Sequence, residues 1–257
     1  MGQGRRLLVI YPNELSEHEI KKDMDEVEAK TGIKSTLVRL HHHMSPDILH
    51  GGYDGIWVIS DSTQMLQPGF INTLKEYHDR GVGLGIFADN DPFYADANHM
   101  LKTMFPDWNI IFQGNYMGTQ IINRYDDPSA GTGKFFVHPV TSGLYSSISE
   151  GITTANIVPR NFERKSISDR AVFHQIIQNS EGNTLAAGLE EVLADQGGAY
   201  PRAFYSERDE SFVKRTFLHG AYTSLMQTDT TWGWNSTVSP GTPQFFANVA
   251  CWTTGAR

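Results

Sequence analysis

Apolar runs alternate with amphipathic stretches through the first half of the chain. Leu7, Leu8, Val9, Ile10 and Tyr11 form an unbroken run ended by Pro12-Asn13, the pattern of a strand buried on both faces that reaches a loop. From Ser16 to Thr31 charged residues surround Ile20, Met24 and Val27, and Gly32 follows, which predicts an amphipathic helix with a glycine stop. Ser35 to Leu40 predicts the second strand. Ile56-Trp57-Val58-Ile59, bounded by Ser60-Asp61-Ser62, predicts a third. Phe70, Leu74 and Tyr77 recur at helical spacing between Pro68 and Arg80, with Gly81 as the stop. The glycine-bearing run Val82 to Phe87 reads as a fourth strand, leading at once into Ala88-Asp89-Asn90-Asp91-Pro92. A helix from Tyr94 to Met104 ends before Pro106. Strand and helix alternating across short connections predict a parallel sheet with right-handed crossovers.

The second half reads differently. Asn109 to Gln113, Gly118 to Asn123 and Gly151 to Val158 predict strands. Val172 to Gln178 and Thr184 to Leu189, joined across Asn179-Ser180-Glu181-Gly182-Asn183, predict a hairpin. Phe212 to Met226 predicts another strand region and Phe245 to Trp252 a closing helix. No repeat, low-complexity tract or linker divides the chain, so one domain over 1–257 is expected.

Taken in order, several segments resemble the class I glutamine amidotransferase-like superfamily. The likeness is closer to its trehalose-utilisation-type and intraflagellar-transport-type branches than to the true amidotransferases. The segments are Tyr53 to Ser60, the helix end Tyr77-His78-Asp79-Arg80-Gly81, Gly83 to Asn90, His138-Pro139-Val140-Thr141-Ser142-Gly143-Leu144, and Glu150-Gly151-Ile152-Thr153. The resemblance implies an α/β fold: a flavodoxin-like three-layer sandwich with a mainly parallel central sheet and additional β-strands in the C-terminal half. It also implies a closing strand, a tryptophan-bearing loop at Trp232-Gly233-Trp234 and a short final helix. Catalytic members carry a cysteine on a sharp strand-to-helix turn, where Phe87 or Ala88 stands here. Neither side chain can form a thioester. The single cysteine, Cys251, falls in the closing helix and reads as a packing residue. Glutamine hydrolysis by the usual route is therefore not expected.

Composition narrows the classes further. Charged residues make up 19% and apolar residues 39% of the 257 residues, an ordered globule rather than a disordered chain. A formal net charge of -8 gives no general attraction to nucleic acid or an anionic membrane, and Lys21-Lys22 and Arg160 to Lys165 are too short and too mixed for a phosphate-tracking stripe. No stretch approaches the ~20 apolar residues of a membrane span. A lone cysteine and a first apolar run too short for a signal-peptide core fit a reducing, cytoplasmic setting, in which the sequon Asn235-Ser236-Thr237 is an ordinary turn.

Candidate chemistry gathers at the predicted strand ends, where open α/β sheets place their ligands. Asp89, Asn90 and Asp91 there have the oxygen donors for Mg²⁺ or the carboxylate for a general base, although Asp-Asn-Asp-Pro also reads as a turn and helix cap. Ser60 and Asp61 end the neighbouring strand, either bordering a pocket or capping the next segment. His138 and His219 are isolated imidazoles with acid-base capacity, with Glu150 near the first, and for each a hydrogen-bonded structural role is the favoured reading. His41-His42-His43 with His50 has metal-ligand chemistry, but neighbouring imidazoles in an extended segment point apart, so a solvated loop is expected and no metal site. Gly131-Thr132-Gly133-Lys134 is no phosphate loop, because Pro128 stands at the first glycine position and Phe135 replaces its Ser or Thr. No cofactor is expected. The favoured reading is a non-catalytic binding or scaffold domain presenting a pocket and loops to a protein partner or small ligand. The competing one is an Asp-dependent hydrolase, with or without a divalent cation, acting on a small carbohydrate-related substrate.

Overall fold

The computed structural model describes residues 4–117, 123–124, 133–145, 148–149, 151–159, 171–179, 182–193, 212–225 and 240–256. Residues 131–132 of the glycine-rich segment read above as no phosphate loop, Glu150, the segment 160–165, the tryptophan loop 232–234, the sequon 235–237 and most of the strand expected over 118–123 lie outside them.

The strands are β1 (Arg6–Tyr11), β2 (Lys34–Arg39), β3 (Gly55–Ile59), β4 (Gly83–Phe87), β5 (Ile110–Met117), β6 (Asn123–Arg124), β7 (Gly133–Phe135), β8 (Thr153–Pro159), β9 (Ala171–Asn179), β10 (Thr184–Leu193) and β11 (Phe212–His219). The helices are α1 (Glu17–Thr31), α2 (Pro68–Asp79), α3 (Ala95–Met104) and α4 (Thr242–Thr254). Nine strands form one mixed sheet in the order β2-β1-β3-β4-β11-β10-β9-β7-β6, and β5 pairs with β8 in a separate antiparallel ribbon. The first five in that order run parallel. β10 and β9 then continue antiparallel as the expected hairpin, and β7 pairs antiparallel with β9.

Burial on both faces explains the unbroken apolar runs. Leu7, Val9 and Tyr11 of β1, with Trp57 and Ile59 of β3, face a core completed by α1 and α4; Leu8, Ile10, Ile56 and Val58 face a second core completed by α2 and α3. The β5–β8 ribbon adds Ile110, Phe112, Ala155 and Ile157 to that second core. This is an α/β fold with helices on both faces of a large sheet. Local signals set the helices: Ile20, Met24 and Val27 give α1 its buried stripe, and Gly32 at φ 75° closes it with its N–H on the Glu28 carbonyl. No helix among the described residues is long and apolar enough to cross a membrane.

Two contacts fix the layers to the sheet. On one face, the Trp57 indole N–H donates to Thr253 Oγ1 at 3.1 Å, tying β3 to the end of α4. On the other, His78 at the end of α2 holds the Val82 carbonyl (2.8 Å) and the Thr216 hydroxyl (3.0 Å) with its two ring nitrogens. Lys214 of β11 bridges Asp79 and Glu191 beside it. Because β1, β3, β4 and β11 are parallel, their carboxyl ends meet along one edge, and four of the seven expected pocket residues come directly after ends on this edge: Ser60 and Asp61 after β3, Asp89 and Asn90 after β4. His219 is the last residue of β11 on the same edge.

Candidate functional site

Asp89 is the centre of this edge. Its side chain is 1% exposed, and both carboxylate oxygens are engaged. Oδ1 accepts from the Thr153 hydroxyl at 2.6 Å and the Asn90 N–H at 2.8 Å, and Oδ2 accepts from the Thr223 N–H at 3.2 Å. The carboxylate thus joins the end of β4 to the start of β8 and to the turn after β11. Burial pushes its pKa up to about 6, against the opposing pull of those donors. Asn90 turns its amide to Asn115 (2.9 Å) and the Asp91 carbonyl (3.1 Å), while Asp91 is exposed.

The β3 end is equally committed. Ser60 is fully buried, and its hydroxyl accepts from the N–H groups of Asp96 (3.1 Å) and Ala97 (3.2 Å), satisfying the first turn of α3 from a neighbouring strand. Asp61 accepts from the Ser62 hydroxyl at 3.0 Å and the Thr63 N–H at 3.3 Å. Asp96 enters the site without any sequence signal. It accepts from the Met65 and Leu66 N–H groups through Oδ1, while Oδ2 has no hydrogen-bond partner. Burial raises Asp96 to about 6; the Met65 and Leu66 bonds oppose that rise and the nearby Asp61 charge adds to it. Thr153, Thr223 and Tyr222 also belong here, and burial first, then the charges of Asp89, Glu14 and Asp61, raises the Tyr222 phenol.

The two histidines do not converge with the aspartates on one reaction centre. His219 is 1% exposed and enclosed by Phe87, Phe217, Phe245 and Phe246, with ring centroids 5.7 to 6.1 Å away. Its Nδ1 accepts from the Ala221 N–H at 3.3 Å, and burial lowers its pKa to about 3. Such a ring stays neutral near neutral pH and takes up no proton there. His138 lies elsewhere, ahead of the 3-10 turn Pro139–Thr141, packed edge-on to Trp252 of α4 and beside His174 of β9. The expected pocket set therefore divides: Ser60, Asp61, Asp89 and Asn90 share one edge with His219, Asp91 faces solvent, and His138 sits over the antiparallel half of the sheet.

His41, His42 and His43 form an exposed turn in which His41 Nδ1 accepts from the His43 N–H at 3.2 Å, and His50 lies 3.6 Å from Asp47. Among the described residues no group of three or more His, Cys, Asp or Glu side chains is arranged to hold a metal ion. Cys251 is half-buried on α4 with its thiol pKa pushed up by burial, away from the strand ends.

The arrangement predicts a structural role for Asp89. Asp89→Ala leaves three part-buried donors without their acceptor and is expected to destabilise the fold by about 1–3 kcal/mol. Urea denaturation at pH 7 reads this directly, and an unchanged midpoint would show that the carboxylate carries no such structural weight.

No protein-family model matches the chain, and no curated protein matches it.

Proposed function

We propose that the chain is a non-catalytic binding or scaffold domain on a flavodoxin-like, glutamine amidotransferase-like frame. The parallel strand order β2-β1-β3-β4-β11 supports the frame, since it repeats the 2-1-3-4-5 order of flavodoxin-like sheets with β11 as the fifth strand. One observation carries the non-catalytic part: the Ser60, Asp89 and Asn90 side chains after β3 and β4 already bond to neighbouring elements of the fold. Phe87 and Ala88, at the position of the missing cysteine, are both 0% exposed, and both oxygens of Asp89 already accept hydrogen bonds, from Thr153, Asn90 and Thr223. The strained left-handed turn that presents a nucleophile is also missing from this strand end, for among the described residues the one non-glycine with positive φ is Asn109.

A second reading, hydrolysis with Asp89 as general base, draws on the raised pKa of about 6, which suits a base working near neutrality. Its burial and its three donors weigh against it. The deciding experiment incubates the purified protein with L-glutamine and follows ammonia, and separately with p-nitrophenyl glycosides and p-nitrophenyl acetate, with and without Mg²⁺ or Mn²⁺. No turnover above buffer is expected. Ammonia release from glutamine, or ester or glycoside hydrolysis that disappears in Asp89→Asn, would replace the binding reading with an enzymatic one.

A further inference from the structure

Backbone groups left unused by the fold line the outer side of β2, which pairs with β1 alone and ends the nine-stranded sheet. The Lys34 N–H donates to the Arg5 carbonyl at 3.0 Å, and the Leu40 N–H to the Tyr11 carbonyl at 2.8 Å. A parallel ladder engages alternate residues of each strand, so the bonds to β1 belong to Lys34, Thr36, Val38 and Leu40. Ser35, Leu37 and Arg39 turn their N–H and C=O groups to the outer edge, where no strand of the described residues meets them. Such a row of unpaired donors and acceptors is a template for another strand.

This edge is open to solvent. Lys34 and Arg39 are exposed and the residues between them half-buried, whereas Leu7 to Tyr11 of β1 are at most 1% exposed. The Arg39 guanidinium folds back over the Tyr11 ring, 5.2 Å from its centroid, and stands 3.8 Å from Glu17. Edge strands are ordinarily blunted by proline, a bulge, charge or brevity. β6, at the far end of the sheet, has two residues, but β2 has six in unbroken register, without proline and with charge only at its two ends. The strand also matches itself. When two copies lie antiparallel about a two-fold axis at Leu37, Ser35 of one stands opposite Arg39 of the other, Thr36 opposite Val38, and Leu37 opposite Leu37. The outward-turned residues then fall at hydrogen-bonded positions, where each pair exchanges both N–H···O bonds. Leu37 against Leu37 and β-branched Thr36 against Val38 are favourable cross-strand pairs. Lys34 faces Leu40 and Arg39 faces Ser35, so no like charges stand opposite.

From this we infer that the outer edge of β2 binds a second copy of the chain, β2 against β2 and antiparallel about Leu37, so that two sheets join into one. The same patch serves both copies, which is the closed two-fold arrangement most common among oligomers. The inference goes beyond the non-catalytic reading and does not depend on it, since β2 carries none of the strand-end residues.

Analytical ultracentrifugation of the full chain over about a hundredfold range of concentration is expected to show a monomer–dimer equilibrium. Ser35→Pro removes an outward N–H, a change that edge strands accept, and should raise the dissociation constant by about tenfold or more with the melting temperature of the monomer unchanged. Thr36→Pro removes a bond to β1 and should lower that melting temperature instead. Charge reads the register without touching the backbone: Ser35→Glu, opposite Arg39 of the second copy, should tighten the dimer and Ser35→Lys loosen it, each by about threefold. Hydrogen exchange resolved by NMR gives the direct signature. The amides of Ser35, Leu37 and Arg39 should gain protection as the dimer forms, while those of Thr36 and Val38 are protected at every concentration. A chain that stays monomeric over the whole range, a dimer in which the Ser35, Leu37 and Arg39 amides exchange as in the monomer, or equal dissociation constants for Ser35→Glu and Ser35→Lys would overturn the inference. Those outcomes leave the non-catalytic reading standing, which falls only to the turnover measurements.

Discussion

A Gly83→Ala chain is expected to lose several kcal/mol of stability, enough to prevent accumulation of folded protein. An alanine Cβ at this position would sit 1.7 Å from the Thr253 carbonyl oxygen and 2.6 Å from its carbonyl carbon. Both are backbone atoms of α4, so no side-chain rotation relieves the clash, and the helix end must move off the sheet. That movement would break the Trp57 to Thr253 bond and separate Phe245, Phe246 and Val249 from the core they share with β3, β4 and β11. Overpacking a core by one carbon costs about 1–3 kcal/mol when side chains can yield, and a rigid backbone contact should exceed that range. Gly69, near the start of α2, is the matched control, since a Cβ there meets nothing within 4 Å. Gly69→Ala should leave stability unchanged or slightly raised. Urea midpoints of the two variants and the parent provide the comparison; equal midpoints for Gly83→Ala and the parent would mean that α4 does not lie this close to β4.

Much of this architecture is legible from residue patterns, because strands buried on both faces leave continuous apolar runs. Leu7 to Tyr11 and Ile56 to Ile59 announce β1 and β3 for that reason, and the polar turn from Asn179 to Asn183 announces the β9–β10 hairpin. Pairing partners are not legible in the same way. The apolar residues of β5 identify a strand, yet nothing in them says that it leaves the main sheet to pair with β8, or that β11 returns beside β4. The candidate site divides along the same line. The position of Asp89, Asn90, Ser60 and Asp61 is set by parallel strand ends, which local pattern predicts. Their remote partners are not: two of the three donors to Asp89 come from Thr153 and Thr223, 64 and 134 positions away. His138 and His219 look alike as isolated imidazoles, but one opens a 3-10 turn beside Trp252 and the other fills an aromatic box. Tertiary packing separates them, because Trp252 and His174 around the one and Phe87, Phe245 and Phe246 around the other are remote in sequence.

The same buried imidazoles make the second large prediction, acid sensitivity beginning well above the carboxylate range. His78 and His138 are lowered to about 4 and His219 to about 3, chiefly by burial, against an ordinary value of 6.5. Below pH 6.5 the unfolded chain takes up protons that the folded chain refuses, so stability falls as pH drops toward about 4. At pH 5 each ring costs about 2 kcal/mol relative to pH 7, about 6 for the three. Asp89 and Asp96 act in the opposite direction. Raised from 3.8 to about 6, they favour the folded state while protonated and lose that contribution as pH rises through about 6. Going from pH 7 to pH 5 returns about 3 kcal/mol from the pair, leaving a net loss of about 3 kcal/mol. Asp79 and Glu190, held low by Lys75 and Lys214 and by His174 respectively, give up their contribution only further into acid. Urea midpoints at pH 7, 6 and 5 should therefore decline stepwise. His219→Phe, which keeps the aromatic box filled and removes one titrating ring, should shrink the decline between pH 7 and pH 5 by about 2 kcal/mol. Stability that holds level or rises over that interval would mean that these rings are not buried neutral in the folded chain, and the assignment of His219 to packing instead of proton transfer would fall with it.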